Sequence, residues 1–357
     1  MDRNNDVLAK YDFKVYNINR ARGAFLLDTD SGLKILKKVD NNKNRILFEH
    51  KIKEHLYALG NEMVDVFLYN KDGDIVTCDN QQNNFVVKNW FVGEACEITD
   101  LHQIKIAVRN LADLHNDLYN IDFSLDESKY ITVENLDFLF DKRNKELRRV
   151  RSYIRNKKQK NKFEIIYYKY FDEFYNQAVK AEQLLKASSY RDLMDKSIIE
   201  KRICHGNYTY HNVLLDKRHN NNINNEVSRE DYMLSASNIN NIKLSDVVTV
   251  NFDKSHMGLQ ISDLYYFIRK VMEKNNWDVL YGSQLIEAYD SVRAIKKEEL
   301  NILYIMLLYP EKFWKITNFY YNSKKSWISE RNIQKLETVC GQNPNKETFL
   351  NKLEKIL

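Results

Sequence analysis

The 357-residue sequence predicts an α+β protein of two lobes, a small antiparallel β lobe followed by a larger, mainly helical lobe. Three observations support this prediction. The length is that of about two ordinary domains. Residues 11–39 alternate as short strands do, with turn residues between them. Later segments repeat their apolar residues at helical spacing. We therefore expect the small lobe to span residues 1–93 and the large lobe 94–357.

The small lobe is predicted to contain five strands and one helix. The strands are residues 11–19, 23–28, 32–39, 64–68 and 85–92. The helix, residues 45–60, carries apolar residues on one face and ends at Gly60, as glycine commonly ends helices.

The large lobe is predicted to be helical at 104–115, 163–186 and throughout 285–357. Tyr167, Tyr170, Phe171 and Phe174 recur at the spacing of a core-facing helix, and Pro310 suits the first turn of a new helix. Two segments differ in composition from the rest of this lobe. Residues 142–162 are strongly basic, and residues 217–241 form an Asn-rich insertion that we expect at the surface.

Composition excludes several classes of protein. The longest apolar run, residues 302–309, is too short to cross a bilayer, and the polar N-terminus lacks the apolar core of a signal peptide. We therefore expect a chain made and folded inside the cell. The four cysteines show neither CxxC nor zinc-ligand spacing, which predicts free thiols. A net charge of +5 does not call for nucleic acid or anionic lipid, and a solvated surface is favoured for residues 142–162.

The most informative segment is residues 204–212, Cys-His-Gly-Asn-Tyr-Thr-Tyr-His-Asn. It resembles the catalytic loop of kinase-like phosphotransferases, in which His-Gly-Asp precedes an Asn by the same spacing. In that loop the Asp accepts the proton of the attacking hydroxyl and the Asn holds Mg²⁺. Here His205 and Asn212 match, but Asn207 stands in the place of the Asp. A neutral amide cannot act as a general base, so the motif predicts the fold and argues against the chemistry.

A second segment extends the resemblance. Residues 248–254 form a β-rich run, and a predicted helix opens with Asp263. This pair is similar to one in aminoglycoside and choline phosphotransferases. There a first Asp binds Mg²⁺, and a second Asp, usually twelve residues later, starts a helix and braces the catalytic loop. Twelve residues before Asp263 is Asn251, so the metal position is also predicted to be an amide. A register shifted by two residues, which would place Asp253 on the metal, stays open.

The resemblance also implies a nucleotide-binding lysine. Lys37, near the end of the third predicted strand, stands where the family keeps the lysine that contacts the α- and β-phosphates. Glu49 on the following helix is the first candidate for its paired glutamate, and Glu54 is the alternative. An exposed strand lysine and a solvated helix acid are the competing interpretations.

Nearly the whole chain resembles a narrower group, the CotS family of spore coat proteins of spore-forming Firmicutes. The similarity lies in the loop around Asn207, the run 250–254 with the helix after it, and the stretch Tyr-Pro-Glu-Lys-Phe at 309–313. It implies a kinase-like scaffold that acts in coat assembly. An active phosphotransferase on a small molecule or protein is the alternative.

We therefore expect no required cofactor. Residual binding of ATP and Mg²⁺ stays open, through Lys37, Glu49, Asn212 and Asp253, with Asn212, Asn251 and Asp253 as the degenerate metal positions. Asp263 is expected to be structural. The expected partners are other coat proteins rather than nucleic acid. The expected location is the mother-cell cytoplasm, followed by the spore coat.

Overall fold

The computed structural model describes residues 5–21, 23–39, 43–123, 135–215, 247–322 and 330–356. The chain divides into two compact units, each built from separate stretches of sequence. The first unit comprises residues 1–97, 113–132 and 205–256, and the second comprises 98–112, 133–204 and 257–357. The predicted insertion at 217–241 lies outside the described residues.

A five-stranded antiparallel sheet forms the main layer of the first unit, with strand order β1-β2-β3-β5-β4. The strands are β1 (Val15–Ala21), β2 (Ala24–Thr29), β3 (Gly32–Val39), β4 (Thr77–Cys78) and β5 (Asn84–Asn89). β3 pairs with β5 so that Ile35 lies opposite Lys88 and Lys37 opposite Val86. Paired residues point to the same face, so all four side chains lie on one side of the sheet.

The two faces of this sheet bury different clusters. On one face, Leu27, Leu36 and Val87 pack with the short helix α1 (Asn5–Leu8). The other face contributes Val86 to a cluster with Ile46 of helix α2 (Lys43–Ala58). This second face carries the side chains of the candidate site.

The strand predicted at 64–68 is wrong. Only two isolated bridges form there, Val64 with Thr249 and Phe67 with Lys88. The intervening Asp65 is fully buried in an ionic cluster, and its backbone does not continue a ladder.

A second sheet of three strands completes the first unit, with order β6-β8-β9. It consists of β6 (Glu94–Ala95), β8 (Val213–Leu215) and β9 (Val247–Thr249). A single 3₁₀ turn, Tyr210–Asn212, leads directly into β8. The predicted catalytic-loop positions directly precede β8, and the predicted metal positions Asn251 and Asp253 follow β9.

The second unit is mainly helical. Helix α3 (Leu101–Asp117) begins in this unit and ends in the first. The other helices are α4 (Leu136–Arg155), α5 (Lys162–Ala187), α6 (Tyr190–Ile199), α7 (Ile261–Lys274), α8 (Val279–Asp290), α9 (Lys297–Leu308), α10 (Glu311–Asn322) and α11 (Glu330–Glu354). Two short strands, β7 (Ile203–Cys204) and β10 (His256–Met257), complete the described elements.

Helix α5 shows how sequence sets these elements. Asn161 caps it by accepting a hydrogen bond from the Glu164 amide while the Glu164 carboxylate accepts one from the Asn161 amide. Tyr167 and Phe174 are buried and stack on Phe313 at ring-centre distances of 5.2 and 4.3 Å. The predicted core position Tyr170 is only half-buried, because it lies at the flank of the apolar stripe.

The predicted α+β class is confirmed, with one antiparallel β-rich unit and one helical unit. The lobe boundary at Gly93 stays a prediction. None of the helices in the described ranges has a stretch long and apolar enough to cross a bilayer.

Candidate functional site

The fully buried side chain of His205 supports the loop at residues 204–212, which resembles a kinase catalytic loop. Its Nδ1 accepts a hydrogen bond from the Asn207 backbone amide at 3.2 Å, so the ring proton lies on Nε2. Nε2 then donates to the Val250 carbonyl at 3.2 Å. With both nitrogens committed to backbone groups, the ring orients the loop and does not present a ligand atom.

Glycine is required at position 206. Its φ is +73°, a region that favours glycine, and a Cβ built there would lie 2.0 Å from the Lys254 carbonyl oxygen. The loop and the segment after β9 therefore approach each other by direct backbone contact.

Two side-chain amides and one backbone carbonyl form a hydrogen-bonded chain across these two segments, here called the amide chain: the side chains of Asn251 and Asn212 and the backbone of Asn207. Asn212 Nδ2 donates to the Asn207 carbonyl oxygen at 2.8 Å. Because that partner can only accept, the Asn212 side chain has a fixed orientation, with Oδ1 at its other end. Asn251 Nδ2 donates to this oxygen at 2.9 Å. The predicted loop and metal positions are thus in direct contact.

Backbone geometry also marks Asn251. Its φ is +66°, and asparagine is one of the few residues other than glycine that adopts this region readily. The strand predicted to run through residue 254 ends at Thr249 for this reason. The Asn251 backbone amide donates to Asp65 Oδ2 at 3.3 Å, and this hydrogen bond stabilises the bend at residue 251.

Lys37 and Asp253 form an ion pair in the same unit, with 3.8 Å between Nζ and Oδ2. The two side chains are 34% and 41% exposed, so water screens their attraction. Asp253 Oδ1 is buried and has no hydrogen-bond partner among the described residues. The Arg45 guanidinium donates to the backbone carbonyls of Asp253 and Ser255, which anchors this segment to α2.

The expected pairing of Lys37 with Glu49 is not what the structure shows. Glu49 Oε1 instead lies 2.5 Å from Lys53 Nζ and 2.6 Å from Lys88 Nζ, and all three side chains are buried. Both lysines also contact Asp65, at 2.9 and 3.3 Å. The physical reason is that the buried ammonium groups of Lys53 on α2 and Lys88 on β5 need buried counter-ions, and Glu49 and Asp65 are the carboxylates within reach.

Two positive and two negative groups therefore balance within this buried ionic cluster, Glu49, Lys53, Asp65 and Lys88. Burial alone would raise the pKa of Glu49, but Lys53 and Lys88 lower it to about 2. The alternative glutamate, Glu54, lies 3.2 Å from His50 and accepts a hydrogen bond from Tyr69.

Sequence reasoning missed Lys53, Asp65 and Lys88. A signal was present for two of them. Asp65 stands between Val64 and Val66, and Lys88 directly follows the apolar run Phe85-Val86-Val87. A charged residue within an apolar run is a candidate for a buried ion pair.

The second predicted acid, Asp263, is buried in the first turn of α7 and belongs to the second unit. Its structural role stays a prediction. The basic segment lies in the same unit, where several of its cations meet acids from other positions. The pairs are Arg143 with Glu311, Lys145 with Asp141, Arg151 with Asp172, Lys157 with Glu164, and Lys162 with Glu337.

The amide chain does not fit the Mg²⁺ site of an active kinase. Mg²⁺ needs oxygen ligands in near-octahedral geometry, usually with carboxylates. Here Asn251 presents an NH₂ group toward Asn212 Oδ1, so a hydrogen bond already uses the oxygen that would ligate the metal. Asp253 supplies a single carboxylate, and the described residues contain no group of three His, Cys, Asp or Glu side chains placed to hold a metal ion.

Comparison with solved structures defines the class of fold. The chain superposes on an aminoglycoside phosphotransferase from Alicyclobacillus acidocaldarius with a TM-score of 0.81 and 16% identity, covering 98% of this chain and 94% of that one. Spectinomycin phosphotransferase APH(9)-Ia with ADP and spectinomycin gives 0.58 and 12%, covering 95% and 97%. The amicoumacin kinase hAmiN with AMP-PNP, Ca²⁺ and Ami gives 0.55 and 12%, covering 98% and 94%. The predicted kinase-like fold is confirmed.

Sequence comparison identifies a more specific relative. Spore coat protein S of Bacillus subtilis (strain 168) is 22% identical over 358 aligned positions, covering 98% of this chain and 93% of that protein. No protein-family profile matches the chain. The predicted resemblance to the CotS group is confirmed, in a chain with an aminoglycoside phosphotransferase-like fold.

Proposed function

We propose that this chain is a spore coat component in which a kinase-like fold, no longer a catalyst, serves as a scaffold for coat assembly. The observation that carries the loss of catalysis is the hydrogen bond from Asn251 to Asn212. It joins the side chains at the two metal positions: Asn212 matches the Asn of the active loop, whereas Asn251 stands where the resemblance implies a metal-binding Asp.

Two losses combine at this site. Removal of a general base typically lowers a rate by ~10²–10⁴-fold, and Asn207 cannot replace one. Without a carboxylate at position 251, the site also lacks the ligand that would hold Mg²⁺ against a triphosphate and so neutralise its charge. Lys37 is drawn to Asp253 instead of Glu49, so the usual pairing of the phosphate-binding lysine is also absent from the described residues.

The assignment to the coat rests on the similarity to Spore coat protein S over nearly the full length of both chains. We expect synthesis in the mother-cell cytoplasm and deposition on the forespore, with other coat proteins as partners. A scaffold of this kind needs its folded surface and not its phosphate-binding lysine.

A localisation experiment tests the scaffold role. A fluorescent fusion produced during sporulation should form a shell around the forespore, and Lys37→Ala should leave that shell unchanged. Diffuse fluorescence in vegetative cells, with none at the spore, would contradict the coat assignment. A shell lost specifically in Lys37→Ala, with the protein folded and at normal abundance, would contradict a role independent of the site.

One observation favours the second candidate, an active phosphotransferase. Lys37 and Asp253 lie together, and Asp253 Oδ1 has no partner among the described residues. The test is a thermal-shift titration with ATP, ADP and GTP, with and without Mg²⁺ or Mn²⁺. We expect the chain to show little metal-dependent stabilisation and Asn207→Asp/Asn251→Asp to gain it. A large Mg²⁺-dependent shift in the unaltered chain would favour the phosphotransferase.

A further inference from the structure

The second unit contains a small polar cavity beside the Tyr-Pro-Glu-Lys-Phe segment. Its lining includes Arg269 and Glu273 of α7, Lys312 of α10, and Gln342 and Lys346 of α11. The cavity volume open to the centre of a water molecule is about 30 Å³, enough for one or two waters or a small ion.

Arg269, which lines this cavity, has an unused donor. The side chain is buried, and its Nη1 donates to Glu273 Oε1. Its Nε is also buried but has no hydrogen-bond partner among the described residues. Buried donors are almost always satisfied in native proteins, and a bound water or ion is a common explanation where protein atoms do not serve.

Lys346 supplies a second donor. It is only 7% exposed, and its Nζ donates to the Leu308 carbonyl oxygen at 3.1 Å. An ammonium group has three protons, so two remain for other acceptors. The Trp277 ring, with its centre 5.6 Å from Nζ, covers part of the remaining surface.

Cations exceed acids around the cavity. Glu273 is shared by Arg269 and by Lys312, whose Nζ lies 2.9 Å from Oε2. Lys346 makes no ion pair within 4 Å among the described residues. One carboxylate therefore serves two of the three lining cations.

The other nearby acids have partners of their own. Glu311, which also lines the cavity, pairs with Arg143 and with Lys315, the latter at 2.9 Å. Glu347 accepts a hydrogen bond from Gln177 at 3.1 Å. With Lys346 protonated, the lining carries three cations, Arg269, Lys312 and Lys346, against the two acids Glu273 and Glu311, a surplus of one positive charge.

We propose that this cavity is a binding site for a small monovalent anion, a halide or a carboxylate of formate size, held between Arg269 and Lys346. Water would satisfy the donors but would not offset the charge. An anion does both, through charge-assisted hydrogen bonds. The site is independent of the amide chain, which lies in the other unit.

The charge on Lys346 makes the binding depend on pH. Burial lowers the pKa of Lys346 to about 7; Glu273 and Glu347 act in the opposite direction, and Arg269 adds to the lowering. Protonated Lys346 attracts the anion, and the neutral amine does not. Affinity should therefore fall by roughly tenfold or more between pH 6 and pH 9, as the ammonium form is lost.

Chloride is the probe for the direct test, using ³⁵Cl NMR line widths of the full chain. We expect excess broadening at pH 6 that acetate or formate competes away and that disappears at pH 9. Lys346→Met should lose the broadening. Lys145→Met, which removes an exposed lysine paired with Asp141, should retain it.

Thermal unfolding supplies a second measurement. At pH 6 and constant ionic strength, replacing sodium gluconate by sodium chloride should raise Tm in the unaltered chain and in Lys145→Met but not in Lys346→Met. Should Lys346→Met fail to fold, the pH dependence of the unaltered chain decides. Absence of chloride broadening at pH 6, or equal broadening at pH 6 and pH 9, would overturn the proposal and leave water as the occupant.

Discussion

Asn251→Asp is the change that probes the amide chain most sharply. It replaces the NH₂ group that donates to Asn212 Oδ1 at 2.9 Å by a carboxylate oxygen, and Asn212 cannot turn around without losing its bond to the Asn207 carbonyl. Two acceptors then face each other. The buried carboxylate of Asp65, which receives the backbone amide of residue 251 at 3.3 Å, adds like-charge repulsion.

The expected loss of stability is about 2–3 kcal/mol. The hydrogen bond accounts for about 1 kcal/mol, and the unsatisfied acceptor with its charge accounts for the rest. At roughly 2–4 °C per kcal/mol, Tm should fall by about 4–12 °C. Because a cation between the two oxygens would relieve the repulsion, Mg²⁺ or Ca²⁺ should restore part of the loss in Asn251→Asp and change nothing in the unaltered chain.

Two controls separate charge from the lost hydrogen bond. Asn17→Asp makes the same substitution on exposed strand β1, where the side chain acts only as an acceptor, and should leave Tm within about 1 °C. Asn251→Ala should lose stability but gain no response to cations. An Asn251→Asp variant that melts at the same temperature as the unaltered chain, or an unaltered chain that EDTA destabilises, would contradict this role of the Asn251 side chain.

Other predictions concern the loop and the buried ionic cluster. Gly206→Ala should cost at least about 3 kcal/mol or prevent folding, whereas Gly73→Ala, with φ +81° and no atom within 4 Å of its Cβ, should cost only about 1–2 kcal/mol in urea unfolding. Lys88→Met should destabilise by about 3–5 kcal/mol because it leaves an unbalanced buried carboxylate, whereas Lys38→Met, at an exposed position of β3, should change stability by less than about 1 kcal/mol. Glu49, with its pKa lowered to about 2, binds fewer protons folded than unfolded at mildly acidic pH. The contribution of ionised Glu49 to the free energy of unfolding should therefore be fully present above about pH 5 and be lost as pH falls toward 2. Acid-unfolding curves of Glu49→Gln should lack this part of the pH dependence.

The sequence predicted the elements whose signals are local. Strand β3 matches its predicted bounds, and helix α2 differs by two residues at each end, because apolar periodicity and a terminal glycine are readable from neighbouring residues. The loop around His205 was also predictable, because its residues and spacing carry the resemblance.

The buried ionic cluster was not predictable by the same means. Glu49 meets Lys88 only because β5 pairs beside β3 and α2 packs on that face, and such pairings are set by the tertiary fold. The strand expected through residue 254 failed for a related reason. Residue 251 adopts a left-handed bend that depends on contacts with Asp65 and Asn212, which are distant in sequence.

ATP turnover directly tests whether the kinase-like site has lost phosphoryl transfer. Release of ADP should be measured for the unaltered chain and for Lys37→Ala with Mg²⁺, in the presence of sugars, aminoglycosides, choline or casein. We expect no phosphoryl transfer and equal background rates for the two proteins, because Asn207 and Asn251 supply neither a general base nor a metal-binding carboxylate. Turnover by the unaltered chain that exceeds the Lys37→Ala rate would contradict it.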